Sequence, residues 1–116
     1  MVVHNMSDED VDRIFQALAD ATRRDIVSRV MAQALSVSEL ASGYAMSFAA
    51  VQKHVAVLER AGLVAKQRRG REQIVHGDPA ALRRAARLLD DYEQIWRDRA
   101  ARMESLITED REGEQS

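Results

Sequence analysis

The sequence predicts a mainly helical chain with one small β-hairpin, and three observations support that prediction. Two helix starts lie close together, at Ser36 and at Ser47, each with a serine suited to cap a helix N-terminus. Gly70 lies between two strand-like segments and marks a hairpin turn after the helix that starts at Ser47. A last segment with helical apolar spacing then runs unbroken to about Glu109. This order of elements predicts a winged helix-turn-helix, α1-α2-α3-α4-hairpin-α5.

Length and composition are those of one small domain. The chain has 116 residues, 46% hydrophobic but only 4% aromatic, so its core must be aliphatic. We divide it into a flexible N-terminus over residues 1–6, one domain over residues 7–109, and a polar C-terminal tail over residues 110–116. The absence of cysteine excludes disulfides and thiolate metal sites. With no signal peptide and no membrane-spanning run in the sequence, we expect a soluble cytoplasmic protein.

Two capped helices are expected before the helix pair. Ser7 and Asp20 each precede a segment with helical apolar spacing, and their side chains can accept hydrogen bonds from the free N–H groups of a helix start. We expect these helices to turn the following residues inward: Val11, Ile14, Phe15 and Leu18 in the first, and Ile26, Val27, Val30 and Met31 in the second.

The third helix, predicted from about Val37 to Ala41, begins with a capping box. Ser36 can cap its first backbone N–H groups, and Glu39 can reach back to the backbone of Ser36. Gly43 follows this helix. We expect that glycine to adopt the positive φ that ends the helix and turns the chain toward the next one.

The fourth helix, from Phe48 to Arg60, has an apolar stripe and a polar face. Its stripe recurs at helical spacing and consists of Val51, Val55 and Leu58. On the polar face, Gln52 can pair bidentately with adenine, and Lys53 can reach guanine or phosphate. An ordinary solvated helix also has a polar face, so this helix alone leaves both interpretations open.

The hairpin that follows is basic. Its strands are expected at residues 63–68 and 72–76, on either side of Gly70. Residues 44–77 carry six Lys and Arg side chains against two carboxylates, a net charge of +4 in a chain whose formal net charge is −2. Clustered cations in an otherwise acidic chain are typical of a surface that contacts phosphates, with a solvated charge run as the alternative.

These features together predict a surface that binds double-stranded DNA. The fourth helix would lie in the major groove and the hairpin on the flanking backbone. The predicted contact residues are Ser36, Ser47, Phe48, Ala49, Gln52, Lys53, His54, Lys66, Arg68, Arg69 and Arg71.

Three segments match the pattern of a known family in order and spacing. They are IFQALADATRRDIV over residues 14–27, LSVSELA over residues 35–41 and SFAAVQKHVAVLERAGLV over residues 47–64. With them the chain resembles the ArsR/SmtB family of bacterial transcriptional regulators, in a branch without the metal-binding motifs. The resemblance covers about residues 10–107 and implies a DNA-binding regulator. Ala21 departs from it, because the family usually has proline there, although Asp20 can still cap that helix.

The last helix is expected to begin at Pro79, with Asp78 as its N-cap. Its apolar residues recur at intervals of three and four, a heptad seam interrupted by Arg99. So long an apolar face indicates a homodimer, with a monomeric helical hairpin as the alternative. The two recognition helices would then lie about 34 Å apart, for a pseudo-palindromic operator. The predicted interface residues are Ile14, Phe15, Leu82, Leu89, Tyr92, Trp96, Met103 and Leu106.

We expect neither a metal nor a cofactor. The last helix has no histidine, and His4, His54 and His76 are scattered along the chain, whereas transition metals need convergent nitrogen or sulfur ligands. The regulator then either binds no ligand or binds a small organic inducer in the dimer cleft. Tyr92 and Trp96 could line such a pocket, although aromatic residues on a helix seam more often pack.

We do not expect an enzyme. The sequence shows no nucleophile beside a histidine, no phosphate-binding glycine loop and no helical pair of metal-binding histidines. A winged helix that contacts only other proteins is the remaining alternative, and such a module would not need the polar helix face or the basic hairpin. We therefore predict a dimeric, metal-independent repressor of transcription.

Overall fold

The computed structural model of the chain describes residues 7–115. Residues 1–6, which we predicted to be flexible, and residue 116 lie outside the described part. The chain divides into two compact units, one that ends at Ala85 and one that begins at Ala86. The elements follow in the order α1 (Asp8–Leu18), α2 (Ala21–Ala32), β1 (Leu35–Ser36), α3 (Val37–Ser42), α4 (Phe48–Arg60), β2 (Val64–Arg69), β3 (Glu72–Gly77) and α5 (Pro79–Gln115).

The first four helices begin at the caps that the sequence predicts. In each, the side-chain oxygen of the residue before the helix accepts a hydrogen bond from the backbone N–H three residues later, at 3.0–3.2 Å. Each cap satisfies one N–H group that a helix start leaves unpaired, so the helix starts are fixed by local chemistry. The capping residues are Ser7, Asp20, Ser36 and Ser47.

The sheet has three antiparallel strands in the order β1-β3-β2, one more than predicted. The extra strand is β1, only two residues long, with Leu35 opposite Val75 and Ser36 opposite Ile74. Two residues are too few for the alternation that marks a strand in a sequence, so this strand depends on its partner rather than on its own pattern. It ties the start of α3 to the hairpin.

The positive φ that we predicted at Gly43 is found at Gly62 instead. Gly43 has φ −90°, and a side chain there would meet Arg29, because an added Cβ atom would lie 2.7 Å from the Arg29 Nη1 atom. Gly62 has φ +78° and follows α4. Its N–H bonds the Glu59 carbonyl, and the Leu63 N–H bonds the Leu58 carbonyl, each at 3.0 Å. These two bonds form a Schellman motif, which requires the left-handed conformation that glycine adopts freely.

The core of the first unit is aliphatic, as the composition predicts. Phe15 departs from the expectation and is 37% exposed, because its neighbour Ile14 takes the inward position and consecutive helical residues point about 100° apart. Val11, Leu18 and Met31 are half-buried. The largest fully buried apolar side chains are Ile14, Ile26, Leu40, Val51, Val55, Leu58, Leu63 and Val75.

Helix α5 begins at Pro79, where the Asp78 carboxylate accepts a hydrogen bond from the Ala80 N–H at 3.0 Å. It continues to Gln115, so the predicted polar tail at residues 110–116 is helical as far as that residue. Glutamate, arginine and glutamine are good helix formers, and residues 110–115 contain no proline that would stop the helix. Over residues 7–115, no helix combines the length and the apolar character needed to cross a membrane.

Candidate nucleic-acid interface

The start of α4 presents a row of exposed side chains. Ser47 caps the helix through the Ala50 N–H, and Phe48 is then the first helical residue. Phe48 is 47% exposed, and Ala49, Gln52 and Lys53 are exposed beside it. A helix N-terminus also carries partial positive charge and free N–H groups, both of which favour nearby phosphate.

The hairpin of β2 and β3 carries the arginines. Arg69 pairs with Glu72, so the turn has two central residues, Gly70 and Arg71. Gly70 has φ +63° and occupies the first central position, as in type II′ hairpins. The Arg68 Nε–H donates to the Gly70 carbonyl at 3.2 Å, which holds this side chain against the turn. Arg68, Arg69 and Arg71 are all exposed.

The helix start and the hairpin meet at one open cleft of about 220 Å³. Phe48 and Gln52 contribute from α4, and Arg68 and Arg71 contribute from the hairpin. Two polar residues that the sequence analysis missed also line the cleft, Ser38 from α3 and Gln73 from β3. The cleft is completed by Val37 and Glu72.

Ser36 is not available for a DNA contact. Its side chain is buried, with the residue 1% exposed, and its hydroxyl accepts the Glu39 N–H at 3.0 Å. The Ser36 N–H donates in turn to the Glu39 carboxylate at 2.9 Å, which completes the capping box. These bonds lower the pKa of Glu39 below its ordinary value, the backbone N–H of Ser36 having the largest effect. Ser38 is the exposed serine of this segment, because β1 pairing and capping turn Ser36 inward.

His54 is turned toward α2 rather than into the open face. The side chain is half-buried, and the Arg23 Nη1 atom lies 3.3 Å from the His54 Nδ1 atom. Arg23 also donates to the carbonyls of Gln16 and Ala17, at 2.9 and 2.8 Å. One arginine therefore ties the end of α1 and the start of α2 to α4. His54 flanks the inward stripe because it lies three residues after Val51, almost one helical turn.

The Arg23 backbone also acts on Asp20, the cap of α2. Its N–H donates to the Asp20 carboxylate at 3.2 Å, and this bond is the main cause that lowers the pKa of Asp20. Desolvation opposes this effect in part, and the Thr22 backbone N–H lowers the pKa of Asp20 further. The Asp20 cap and the hydrogen bonds of the Arg23 side chain thus stabilise the same place, the turn between α1 and α2.

The turn between α3 and α4 is held by α2. The Tyr44 hydroxyl donates to the Asp25 carboxylate at 2.5 Å, and the Arg29 guanidinium lies 5.4 Å from the centre of the Tyr44 ring. Burial raises the pKa of Tyr44, and the bond to Asp25 raises it further. Because these residues come from distant parts of the sequence, the sequence analysis did not identify them. They fix the turn that orients α4.

Lys66 lies away from the cleft. Its Nζ atom is 3.5 Å from a carboxylate oxygen of Glu59, near the end of α4. Glu59 lies 11 residues after Phe48, which is about 16 Å along a helix. The structure therefore groups Arg68 and Arg71 with the start of α4 and places Lys66 at its opposite end.

The predicted dimer-interface residues differ in exposure. Ile14 is 2% exposed and belongs to the core of the first unit, so it offers no surface to a partner. Leu82 is half-buried against the same core. Phe15 is exposed on α1. Within the second unit, each of the remaining predicted residues is more than half exposed: Leu89, Tyr92, Trp96, Met103 and Leu106.

The described residues contain no ready metal site. Across residues 7–115, no three His, Asp or Glu side chains come together in a group that could hold an ion.

A three-stranded sheet packed with four short helices, a basic hairpin and an exposed helix start define a winged helix-turn-helix protein. Residues 18–67 match a family model described as a helix-turn-helix domain. The chain is 41% identical over 85 residues to the HTH-type transcriptional regulator Rv2034 of Mycobacterium tuberculosis, a match that covers 73% of this chain and 77% of that protein.

Solved structures of similar proteins agree with this match. The chain resembles an ArsR-like transcriptional regulator from Rhodococcus sp. RHA1 with 31% identity and a TM-score of 0.73, over 84% of this chain and 92% of that one. It resembles a second ArsR family transcriptional regulator with 29% identity and a TM-score of 0.75, over 79% and 95% of the two chains. The chain belongs to the ArsR family of transcriptional regulators, which confirms the resemblance seen in the sequence.

Proposed function

We propose that this protein is a dimeric repressor that binds a pseudo-palindromic DNA operator without needing a metal ion. The cleft carries the proposal, because it joins the exposed start of α4 to two arginines of the hairpin. A helix start with Phe48 and Gln52 is suited to base edges in the major groove. Arg68 and Arg71 beside it are suited to the phosphates that flank the groove.

The apolar face of α5 supports the dimer. Trp96 is 61% exposed, and its neighbours on the heptad seam are exposed as well. A run of large apolar side chains at helical spacing is stabilised when a second copy covers it. A two-fold dimer would present two α4 helices to successive major-groove faces of one operator. Repression would follow because the bound dimer covers the promoter, in the cytoplasm where a bacterial chromosome lies.

Metal independence is supported by the residue types of this chain. It has no cysteine, and α5 contains no histidine. Carboxylates alone are weak ligands for the soft metals that thiolates and imidazoles select. We expect zinc, nickel or arsenite to leave the complex with DNA intact, and metal binding coupled to DNA release would contradict this part of the proposal.

A gel-shift titration at several salt concentrations tests the proposal. Its probes are a duplex selected by the purified protein from a random DNA library and an unrelated duplex of equal length. We expect tight binding to the first, with a logarithmic salt slope of about −0.9 for each phosphate contact. An affinity that is equal for both duplexes and independent of salt would contradict it. That outcome would favour a module that contacts only proteins.

Two variants separate base reading from backbone contact. Gln52→Ala should lose about 1–3 kcal/mol on the selected duplex and much less on the unrelated one. The double replacement Arg69→Ala and Arg71→Ala should weaken both duplexes alike and reduce the salt slope. Arg13→Ala is the control, since Arg13 pairs with Glu9 and Asp10 on α1. Equal losses on both duplexes for Gln52→Ala would assign that residue a positioning role.

A further inference from the structure

Phe48 has a large apolar side chain that is exposed at the start of α4. Among the described residues of the first unit, Phe15 and Phe48 are the large apolar side chains that remain exposed. Phe48 is the first residue of α4, so its ring lies at the end of the helix that would enter the groove. An aromatic ring left in water there gains free energy when an apolar group covers it.

Gln52 lies next to Phe48 on the same face of α4. The two residues are one turn apart, and both line the cleft shared with the hairpin. Four residues of helix rise about 6 Å, and successive base pairs are about 3.4 Å apart. A base contacted by Phe48 would therefore lie within about two base pairs of a base contacted by Gln52.

We propose that Phe48 reads the 5-methyl group of a thymine in the major groove, within two base pairs of an adenine read by Gln52. This inference rests on the proposed function and specifies what its recognition helix reads. The thymine methyl is the apolar group that the four natural bases present in the major groove. A phenyl ring against that methyl removes apolar surface of both partners from water. The same ring against the amino group of cytosine would cover a polar group without bonding it.

Glu72 lowers the net charge of the cleft to about +1, so the cleft attracts a phosphate less strongly than its two arginines alone would. Arg68 and Arg71 are balanced in part by Glu72, which lines the same cleft with a carboxylate. A phosphate inside the cleft would be repelled by the Glu72 carboxylate, whereas a neutral base edge would not be repelled. The two arginines can then contact phosphates from the rim of the cleft.

Replacing single thymines by deoxyuridine tests the inference with the intact protein. Uracil keeps the base pairing of thymine and lacks only the methyl group. The probe is the duplex selected from a random library, with each thymine replaced in turn. We expect one thymine in each half-site at which deoxyuridine weakens binding about four-fold, the value of one buried methyl group. Replacements elsewhere should change binding by less than about 1.5-fold.

Protein variants test whether Phe48 makes the contact with the thymine methyl group. With Phe48→Ala the four-fold difference between thymine and deoxyuridine should disappear. Phe48→Leu keeps an apolar side chain and should retain part of it. Arg71→Ala is the matched control from the same cleft. It should weaken the two duplexes equally and preserve the four-fold ratio.

The outcomes distinguish this inference from the proposed function. If no duplex is selected, or if selected and unrelated duplexes bind equally, the proposed function fails. If a duplex is selected but every deoxyuridine is tolerated, the methyl contact is wrong and the proposed function stands. A ratio that survives in Phe48→Ala also overturns the inference, as does an operator without thymine at the recognised positions. Circular dichroism checks that the variants fold, and should Phe48→Ala fail to fold, the ratio measured with Phe48→Leu decides.

Discussion

Residues 7–85 bury most of their large aliphatic side chains fully or in part, whereas residues 86–115 leave most of their large apolar side chains exposed. In the first region the core draws on α1 to α4, on the sheet and on the first turns of α5. In the second region seven large apolar side chains are 51–64% exposed, namely Leu89, Tyr92, Ile95, Trp96, Met103, Leu106 and Ile107. Both regions show the same helical periodicity in the sequence. Periodicity therefore identifies an apolar face but not whether its partner belongs to the same chain.

The polar contacts differ in the same way. In residues 7–85 polar side chains bond across elements, as Arg23 does to α1 and α4 and as Tyr44 does to α2. In residues 86–115 the side-chain pairs are local, with Glu93 bonded to Arg97 and Gln94 to Asp98, each four residues along the helix. The first region is stabilised by its tertiary contacts. The second region, by itself, has only the stability of a single helix.

The largest effect is expected from placing a charge on the exposed face. Trp96→Glu should abolish dimerisation, because a two-fold interface would lose two buried tryptophans and gain two unpaired carboxylates, a cost of about 5 kcal/mol or more. Sedimentation velocity measures the loss, and binding to a two-fold operator should fall with it. Ala101→Glu is the control, since Ala101 is exposed and lies off the heptad seam. A Trp96→Glu variant that remains dimeric would show that this face is not the interface.

A pair of leucine truncations compares the two regions directly. Leu58 is completely buried, so Leu58→Ala should reduce the free energy of unfolding by about 2–5 kcal/mol through the lost contacts and the cavity left behind. Leu106 is 61% exposed, and Leu106→Ala should change that free energy by less than about 0.5 kcal/mol at protein concentrations where the chain is monomeric. Urea unfolding at two protein concentrations checks both values. Similar losses for both variants in the monomer would remove the contrast between the regions.

The capping box of α3 should give a smaller, acid-dependent effect. Ser36→Ala removes a buried cap and should cost about 1–2 kcal/mol at pH 7. The pKa of Glu39 is lowered in the folded chain, so its contribution is present above the ordinary pKa and is lost as the pH falls through the folded value. Glu39→Gln should therefore flatten the stability profile below about pH 4.5. Urea unfolding from pH 7 to pH 3 measures this profile.

The cap of α4 provides the control for that experiment. Ser47→Ala also removes a cap, but the third residue of α4 is Ala50 and offers no carboxylate. Its loss of stability should be independent of pH across the acid range. If the loss in free energy of unfolding depended on pH equally in Ser47→Ala and in Ser36→Ala, Glu39 would not be the titrating group.

The sequence predicts the features of the fold that depend on neighbouring residues, such as helix caps and turns. Helix α4 has the predicted bounds because Ser47 caps its start and Gly62 ends it within a few residues. The strand β1 was missed because two residues form it only by pairing with β3. Gly43 was assigned the wrong role because the close approach of Arg29 comes from another helix. Such contacts between distant segments leave no periodic signal in the sequence.

The candidate site follows the same division. Exposure of Phe48, Gln52 and the hairpin arginines could be predicted, because each lies at a helix start or a turn. The burial of Ser36 and the contact of His54 with Arg23 could not, since both depend on packing between elements. The residues that surround the cleft come from four elements, and only the folded chain shows that Ser38 joins them.

The smallest effect is expected from removing a surface ion pair of α5. Glu93 and Arg97 form an ion pair at 2.7 Å, but both side chains are more than half exposed. Glu93→Gln should therefore cost no more than about 0.5 kcal/mol of helix stability, and salt should screen this cost. Thermal unfolding by circular dichroism measures it at low and high salt, and sedimentation should show a dimerisation constant within about two-fold of the unchanged protein. If Glu93→Gln instead dissociated the dimer, charged pairs rather than the exposed apolar seam would hold the two copies together.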